Sequence, residues 1–440
     1  MLLTAGRAAA TSLWPELLIV AALFGATAWV SARMQDVTVT RYWDGDEYYV
    51  MTEQIAAGET PRAAAPYVYR LATPWLVAHL SPRAIVNGYR AINLTAAAVT
   101  AAMLLVWLRR FVAERWARLL AVTLFIVEWH GPVRFVFYYP VYVDPLVFPF
   151  LIAGLLLVDS LRSRSEHAIT RLVALTAICV VGAVTREVMI VVPIALLFAR
   201  HPIGRAPSTG RARAPELLWW LPLAATVATL AATRIVTQPR LAFSFVGTAL
   251  FHVRNKPFYT WLLAWFITFG PVLALVFDDW RSAWRGLTER QDLAVYLALF
   301  GVLAYIGGHD TERYLFWSMP VVYVLIAQAL VSHRAALSHT YLASALIVAQ
   351  AVSARIFWGI PSPSLATATL EEMPSRAARA YAILNRLVVV DDFHWNLWSN
   401  FGSRSFHALL LAIYVAFSAA VIAWVRLRAV RLRPLSPASA

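Results

Sequence analysis

RYWDGDEYYVMTEQIAAGETPRAAAPYVYRLATPWLVAHL, residues 41–80, separates the first long apolar run of the chain from the second. It packs the carboxylates Asp44, Asp46 and Glu47 among the aromatic residues Tyr42, Trp43, Tyr48 and Tyr49, and then adds Tyr69 and Arg70 ahead of Pro74 and Trp75. Proline is absent from Asp44 to Ala57, and Ala56-Ala57-Gly58 reads as a helix end. On that helix Asp44 and Tyr48 share a face. Leu71–Leu80 is apolar all round, which predicts a second helix lying in the membrane interface. The loop therefore roofs a cavity at one membrane face.

The rest of the composition explains why such a cluster stands out. Of the 440 residues 60% are hydrophobic and 14% charged, and mean hydropathy is +0.63. Soluble domains carry about 25% charged residues, so the chain reads as an all-α, polytopic integral membrane protein. The formal charge of +14 is distributed as short arginine runs between apolar segments, which points to a membrane surface and away from nucleic acid. Cys179 is the single cysteine, so internal disulfides and cysteine metal sites are excluded.

A span needs about 20 residues, within about 17–25. Leu13–Val30 is the first candidate; a signal peptide competes for it, and an uncleaved helix is preferred because many spans follow. Further candidates are Ala91–Leu108, Ala117–Trp129, Val143–Val158, Leu172–Thr185, Val188–Phe198 and Leu217–Val236. Tyr259–Phe277, Leu293–Gly307, Leu315–Val331, Tyr341–Ile356 and Phe406–Val425 complete a set of about twelve. Arginines mark alternate loops: Arg109 to Arg118, Arg162 to Arg171, Arg200 to Arg213, Arg281 to Arg290, Arg334, and the tail from Arg426. The positive-inside rule then puts both termini in the cytoplasm. Residues 1–440 form one transmembrane domain, with a first external loop at 32–90 and a last one at 357–404.

The outer face collects Arg134, Tyr139 and Asp144 in one loop, Arg186 and Glu187 at a hairpin tip, and Asp310 and Arg313 in a later loop. Acids at membrane depth are costly unless paired or facing water, so they are functional candidates. A carboxylate can take a proton from an acceptor hydroxyl, and guanidinium forks match phosphate oxygens. Asp44, Asp46 and Glu47 are the carboxylates of that scheme; Arg70, Arg134, Arg186 and Arg313 are its cations, with the loop tyrosines lining a sugar pocket. Plainer readings stand beside these: Arg70 snorkelling to headgroups, Arg186-Glu187 as a local pair, Asp310 to Arg313 as an ion-pair knot, and Asp144-Pro145 as a helix start. The histidines lack metal-ligand spacing.

Trp43-Asp44-Gly45 with Tyr48 four residues after the aspartate resembles the first-loop motif of the GT-C superfamily, membrane glycosyltransferases that use lipid-phosphate sugars. Asp46-Glu47 resembles the Asp-Glu pair of its aminoarabinose and protein O-mannosyl transferase branches. Tyr139–Asp144, Thr185-Arg186-Glu187 and Asp310–Arg313 resemble outer-face positions of related bacterial membrane proteins. The resemblance implies a first-loop aspartate as catalytic base, a polyprenyl-phosphate sugar as donor, a glycan or lipid acceptor, and a site on the outer side of the cytoplasmic membrane. Spacing leaves Asp44 and Asp46 both open as the base, and Glu47 either orients an acceptor or binds a divalent cation. A large C-terminal periplasmic domain is not expected here, nor is a protein acceptor read by one. The rival readings are a secondary transporter or lipid flippase, for which internal repeats are missing, and a polymerase of lipid-linked glycans.

Overall fold

The structure, a computed structural model, describes residues 12–34, 44–163, 166–204, 214–356, 399 and 404–431. Trp43 and nearly all of the external segment placed at 357–404 lie outside the described residues. Those described are helical, joined at one point by an isolated parallel bridge between Ala64 and Leu241.

In chain order the helices are α1 (Trp14–Met34), α2 (Asp44–Ala56), α3 (Ala72–Leu80), α4 (Ile85–Leu108), α5 (Arg115–Val127), α6 (Phe135–Tyr138) and α7 (Asp144–Ser163). Next come α8 (Ala168–Thr185), α9 (Val191–Arg200), α10 (Leu221–Val236), α11 (Phe245–Asn255), α12 (Phe258–Phe269) and α13 (Leu273–Asp278). The remainder are α14 (Trp280–Glu289), α15 (Gln291–Ile306), α16 (Thr311–Phe316), α17 (Met319–Ser332), α18 (Arg334–Leu337), α19 (Thr340–Ser353) and α20 (Arg404–Arg431). Every predicted apolar run is mostly helical, some of them divided between two helices. Among the described residues five helices are long and apolar enough to cross a membrane, α1, α4, α7, α8 and α20. Five shorter apolar ones accompany them: α10, α12, α15, α17 and α19. The predicted spans Ala117–Trp129 and Val188–Phe198 are helices of 13 and 10 residues, too short to cross alone.

The two helices of the first outer loop form within a residue of their expected limits. Pro145 and Pro222 occupy first turns, where a missing N–H costs nothing. Ser244 caps α11 by accepting from Gly247 N at 3.0 Å. The run Tyr259–Phe277, expected as one helix, is broken between α12 and α13 at Gly270-Pro271. Gly270 has φ +79°, and proline cannot supply the next N–H. Gln350 of α19 fills the break, donating to Phe269 O at 3.2 Å and accepting from Val272 N at 3.2 Å.

α4 packs on α1, α5, α7 and α17, while α8 lies between α7 and α10, and α9 against α15. Buried Ala96, Ala97, Thr100 and Ala101 line α4, small side chains that let neighbouring helices come close. Ion pairs gather at both ends of this bundle. Asp144 opens α7, and Asp159, about 22 Å further along that helix at about 1.5 Å per residue, pairs with Arg290 at 3.0 Å. Arg290 also holds Asp292 at 2.8 Å, and Glu16 of α1 pairs with Arg118 of α5 at 2.6 Å. The Asp144 end is the one that carries the cavity.

Candidate active site

Asp44 begins α2, so its carboxylate sits at the positive end of the helix dipole. Tyr139, at the end of α6, donates its hydroxyl to Asp44 Oδ1 and accepts from Gly45 N at 2.5 Å. A Cβ on Gly45 would stand 2.9 Å from that hydroxyl and 3.1 Å from Val141 O. Close approach of the Tyr139 loop thus explains the glycine of the Trp-Asp-Gly motif. Asn93 of α4 fixes the same loop, donating to Pro140 O and Tyr142 O, both at 2.9 Å.

Arg313 is the hub. The short helix α16 aims its guanidinium at three carboxylates: Asp44 Oδ2 at 3.0 Å, Asp144 Oδ2 at 2.9 Å and Asp310 Oδ2 at 2.8 Å. Arg186, extended at the end of α8, donates to Asp144 Oδ1 and lies over the Trp317 ring, 4.5 Å from its centroid. Next to them Arg70 takes both Glu187 oxygens, at 2.9 and 2.5 Å, and donates to the Tyr48 hydroxyl at 2.7 Å. Glu47 accepts from Arg240 at 2.6 Å and from Ala64 N at 2.7 Å, closing the rim.

Charge state follows from these contacts. Burial pushes the Asp44 carboxyl up, but Arg313 and the Tyr139 hydroxyl outweigh it and hold Asp44 below its ordinary value. Burial raises Asp310, and Asp44 and Asp144 add to the rise while Arg313 opposes it; the result is a carboxyl above its ordinary value. Glu187, also pushed up by burial, is drawn down to about 2 by Arg70. Burial lifts the Tyr48 hydroxyl to about 12. Two carboxyls sharing one guanidinium are thereby driven apart.

A cavity of about 1310 Å³ opens on this assembly, lined by Asp44, Glu47, Tyr69, Arg70, Tyr139, Arg186, Glu187, Asp310 and Arg313. Asp144 sits directly behind, and Tyr48 beneath Arg70. Segments 269 residues apart, Asp44 and Arg313, meet here. Two expected site residues are elsewhere. Asp46 is exposed on the far side of α2, because it lies two residues from Asp44 on a 3.6-residue helix. Arg134 spends its guanidinium on the carbonyls of Val127, Ala354 and Arg355 and does not line this cavity. Among the described residues no three His, Cys, Asp or Glu are placed to hold a metal ion. Both Glu47 oxygens are engaged, so a cation there would displace Arg240.

Among the lining residues that the sequence did not mark as site residues are Tyr67, Arg234 and Trp317. Arg234 was counted as the tail of the span Leu217–Val236. A cation on an apolar span is itself a signal of a polar cavity.

No family model matches the sequence, and no curated protein does. Among solved structures, ArnT from Cupriavidus metallidurans bound to undecaprenyl phosphate is similar, with a TM-score of 0.51 and 15% identity over 95% of this chain and 78% of that one. At that identity the likeness is one of architecture, and it agrees with what the first-loop motif implied. The chain shares the overall fold of that membrane protein.

Proposed function

We propose that the protein is a membrane glycosyltransferase that moves a sugar from a polyprenyl-phosphate donor to a hydroxyl of a glycan or lipid acceptor, at the outer face of the cytoplasmic membrane. The observation that carries this reading is the convergence of Asp44, Asp310, Arg186 and Arg313 on one large cavity. Its fold neighbour, ArnT, binds undecaprenyl phosphate.

The acceptor oxygen forms a bond to the anomeric carbon while the bond from that carbon to the phosphate oxygen breaks. The electron pair leaves with the lipid phosphate, and the acceptor proton passes to a cavity carboxylate. We assign the base to Asp44: it lines the cavity with Glu47, whose oxygens are taken by Arg240 and Ala64 N, while Asp46 is exposed on the other side of α2. One base suffices for single displacement with inversion. A permanently charged guanidinium of the cavity lining that is not already spent on a carboxylate favours the negative charge growing on the leaving phosphate.

The test is sugar transfer from polyprenyl-phosphate donors in membranes containing the wild type, Asp44→Asn or Asp46→Asn. Asp44→Asn is expected to lose about 10²–10⁴-fold, the usual contribution of a general base, and Asp46→Asn to keep wild-type rates. Full transfer by a folded Asp44→Asn protein sinks the assignment of the base. A transporter or flippase would instead move labelled lipid without making a glycoside.

A further inference from the structure

Four guanidinium groups line the cavity: Arg70, Arg186, Arg234 and Arg313. Three are already committed to carboxylates, Arg70 to Glu187, Arg186 to Asp144, and Arg313 to Asp44, Asp144 and Asp310. At the rim, Arg240 neutralises Glu47. Lys256, buried nearby, donates to Ala304 O, Gly308 O and Thr311 Oγ1. The four paired arginines meet five carboxylates, Asp44, Glu47, Asp144, Glu187 and Asp310, so they offer an arriving phosphate no spare positive charge. Freeing one of those arginines would strand a carboxylate, an expensive step inside a protein.

Arg234 differs from them. It stands in the last turn of α10, exposed, and no described carboxylate reaches it. Its guanidinium lies over the Tyr69 ring, 5.6 Å from the centroid. A ring face steadies the cation while leaving its N–H edge available for a forked contact to phosphate oxygens. The surroundings are apolar on one side. Leu230, one turn earlier on α10, and Phe243, Phe245 and Phe251 line the same cavity. Ile235 and Val236, directly after Arg234, are 83% and 64% exposed, as suits residues facing acyl chains.

We propose, building on the transferase reading, that Arg234 is the docking cation for the phosphate of an isoprenoid-phosphate substrate whose chain lies against Leu230, Phe243, Phe245 and Phe251. The ligand is an anion on a long apolar tail; both halves are needed. Arg70, Arg186 and Arg313 then brace the site and hold the carboxylates in place. The first contact with the incoming phosphate belongs to Arg234.

The experiment measures binding to the purified full chain in detergent, with undecaprenyl phosphate, undecaprenol, inorganic phosphate and phosphatidylglycerol as separate probes, alongside KM and kcat for a polyprenyl-phosphate sugar. Arg234→Gln should weaken undecaprenyl phosphate about tenfold or more, the scale of a lost charged hydrogen bond, and raise KM more than it lowers kcat. Arg234→Lys should recover part of the loss, with undecaprenol binding equal in all three proteins. Equal affinity of wild type and Arg234→Gln for undecaprenyl phosphate overturns the assignment and leaves the transferase reading standing. Equal competition by inorganic phosphate or phosphatidylglycerol also overturns it, because Arg234 would then be a general anion contact. If the wild type fails to bind undecaprenyl phosphate at all, the transferase reading falls together with it.

Discussion

Arg313 joins Asp44 of the first outer loop, Asp144 at the start of α7 and Asp310 of its own segment, with distances of 2.8–3.0 Å to all three. Taking such charges out of water is costly, and only close, complementary geometry offsets it. The Arg70–Glu187 pair shows the same logic in a form that pH can read. A free glutamate carboxyl titrates near 4.5, and this one is held at about 2 by Arg70 against the opposing effect of burial. A carboxyl lowered on folding stabilises the native state fully above the unfolded value and loses that contribution as pH falls through the folded one. The difference in melting temperature between the wild type and Glu187→Gln in detergent should therefore be constant from pH 7 to about 5 and shrink as pH falls from about 4.5 towards 2. A melting temperature of Glu187→Gln that tracks the wild type through that window would count against the pair. Individual residues were readable from sequence as chemical types, and their directions were not. Arg134 belongs to the same loop as Tyr139, yet it turns to backbone carbonyls, whereas Arg234 was hidden in what looked like lipid-facing helix.

At the scale of elements, local signals served well where they were strong. The Ala-Ala-Gly ending of α2 and the apolar stretch of α3 placed both helices to within a residue. Weakness came where an apolar run hid a breaker. Gly270-Pro271 interrupts a stretch hydrophobic enough to read as one span, although a Gly-Pro step is a strong punctuation mark. The break is a built feature: a Cβ on Gly270 would lie 2.1 Å from Gln350 Nε2, and its φ of +79° suits glycine alone. Gly270→Ala should thus cost about 1–3 kcal/mol, the usual scale for a side chain held in a left-handed conformation, read as a lowered melting temperature of the detergent-solubilised protein. An alanine variant that melts with the wild type would show that α12 and α13 can rejoin. The junction does not line the cavity, so it sets helix packing rather than access.

For the molecule as a whole, membrane class and the gathering of the site at one end of the bundle followed from where arginines and carboxylates fall in the sequence. Pairing did not follow: Arg70 and Glu187 are 117 positions apart, and only packing of the helices between them decides that they meet. Sidedness lends itself to direct measurement because the single native thiol, Cys179, is buried and gives little background. Asp46 is exposed on α2 at the cavity end of the bundle, on the side turned away from the cavity, and Trp284 of α14 is 62% exposed at the opposite set of loops. With a membrane-impermeant maleimide on intact cells, Asp46→Cys should label at once and Trp284→Cys only after permeabilisation. Labelling of both before permeabilisation, or the reverse order, would overturn the assigned orientation. The two ion knots on α7 add one more consequence. About 22 Å of helix at about 1.5 Å per residue is less than the hydrocarbon slab of about 30 Å, so α7 cannot ride up or down by a turn without carrying a charged knot deeper into the oily layer. Its depth is pinned from both ends, and a thicker bilayer must be met by the lipids deforming around the protein.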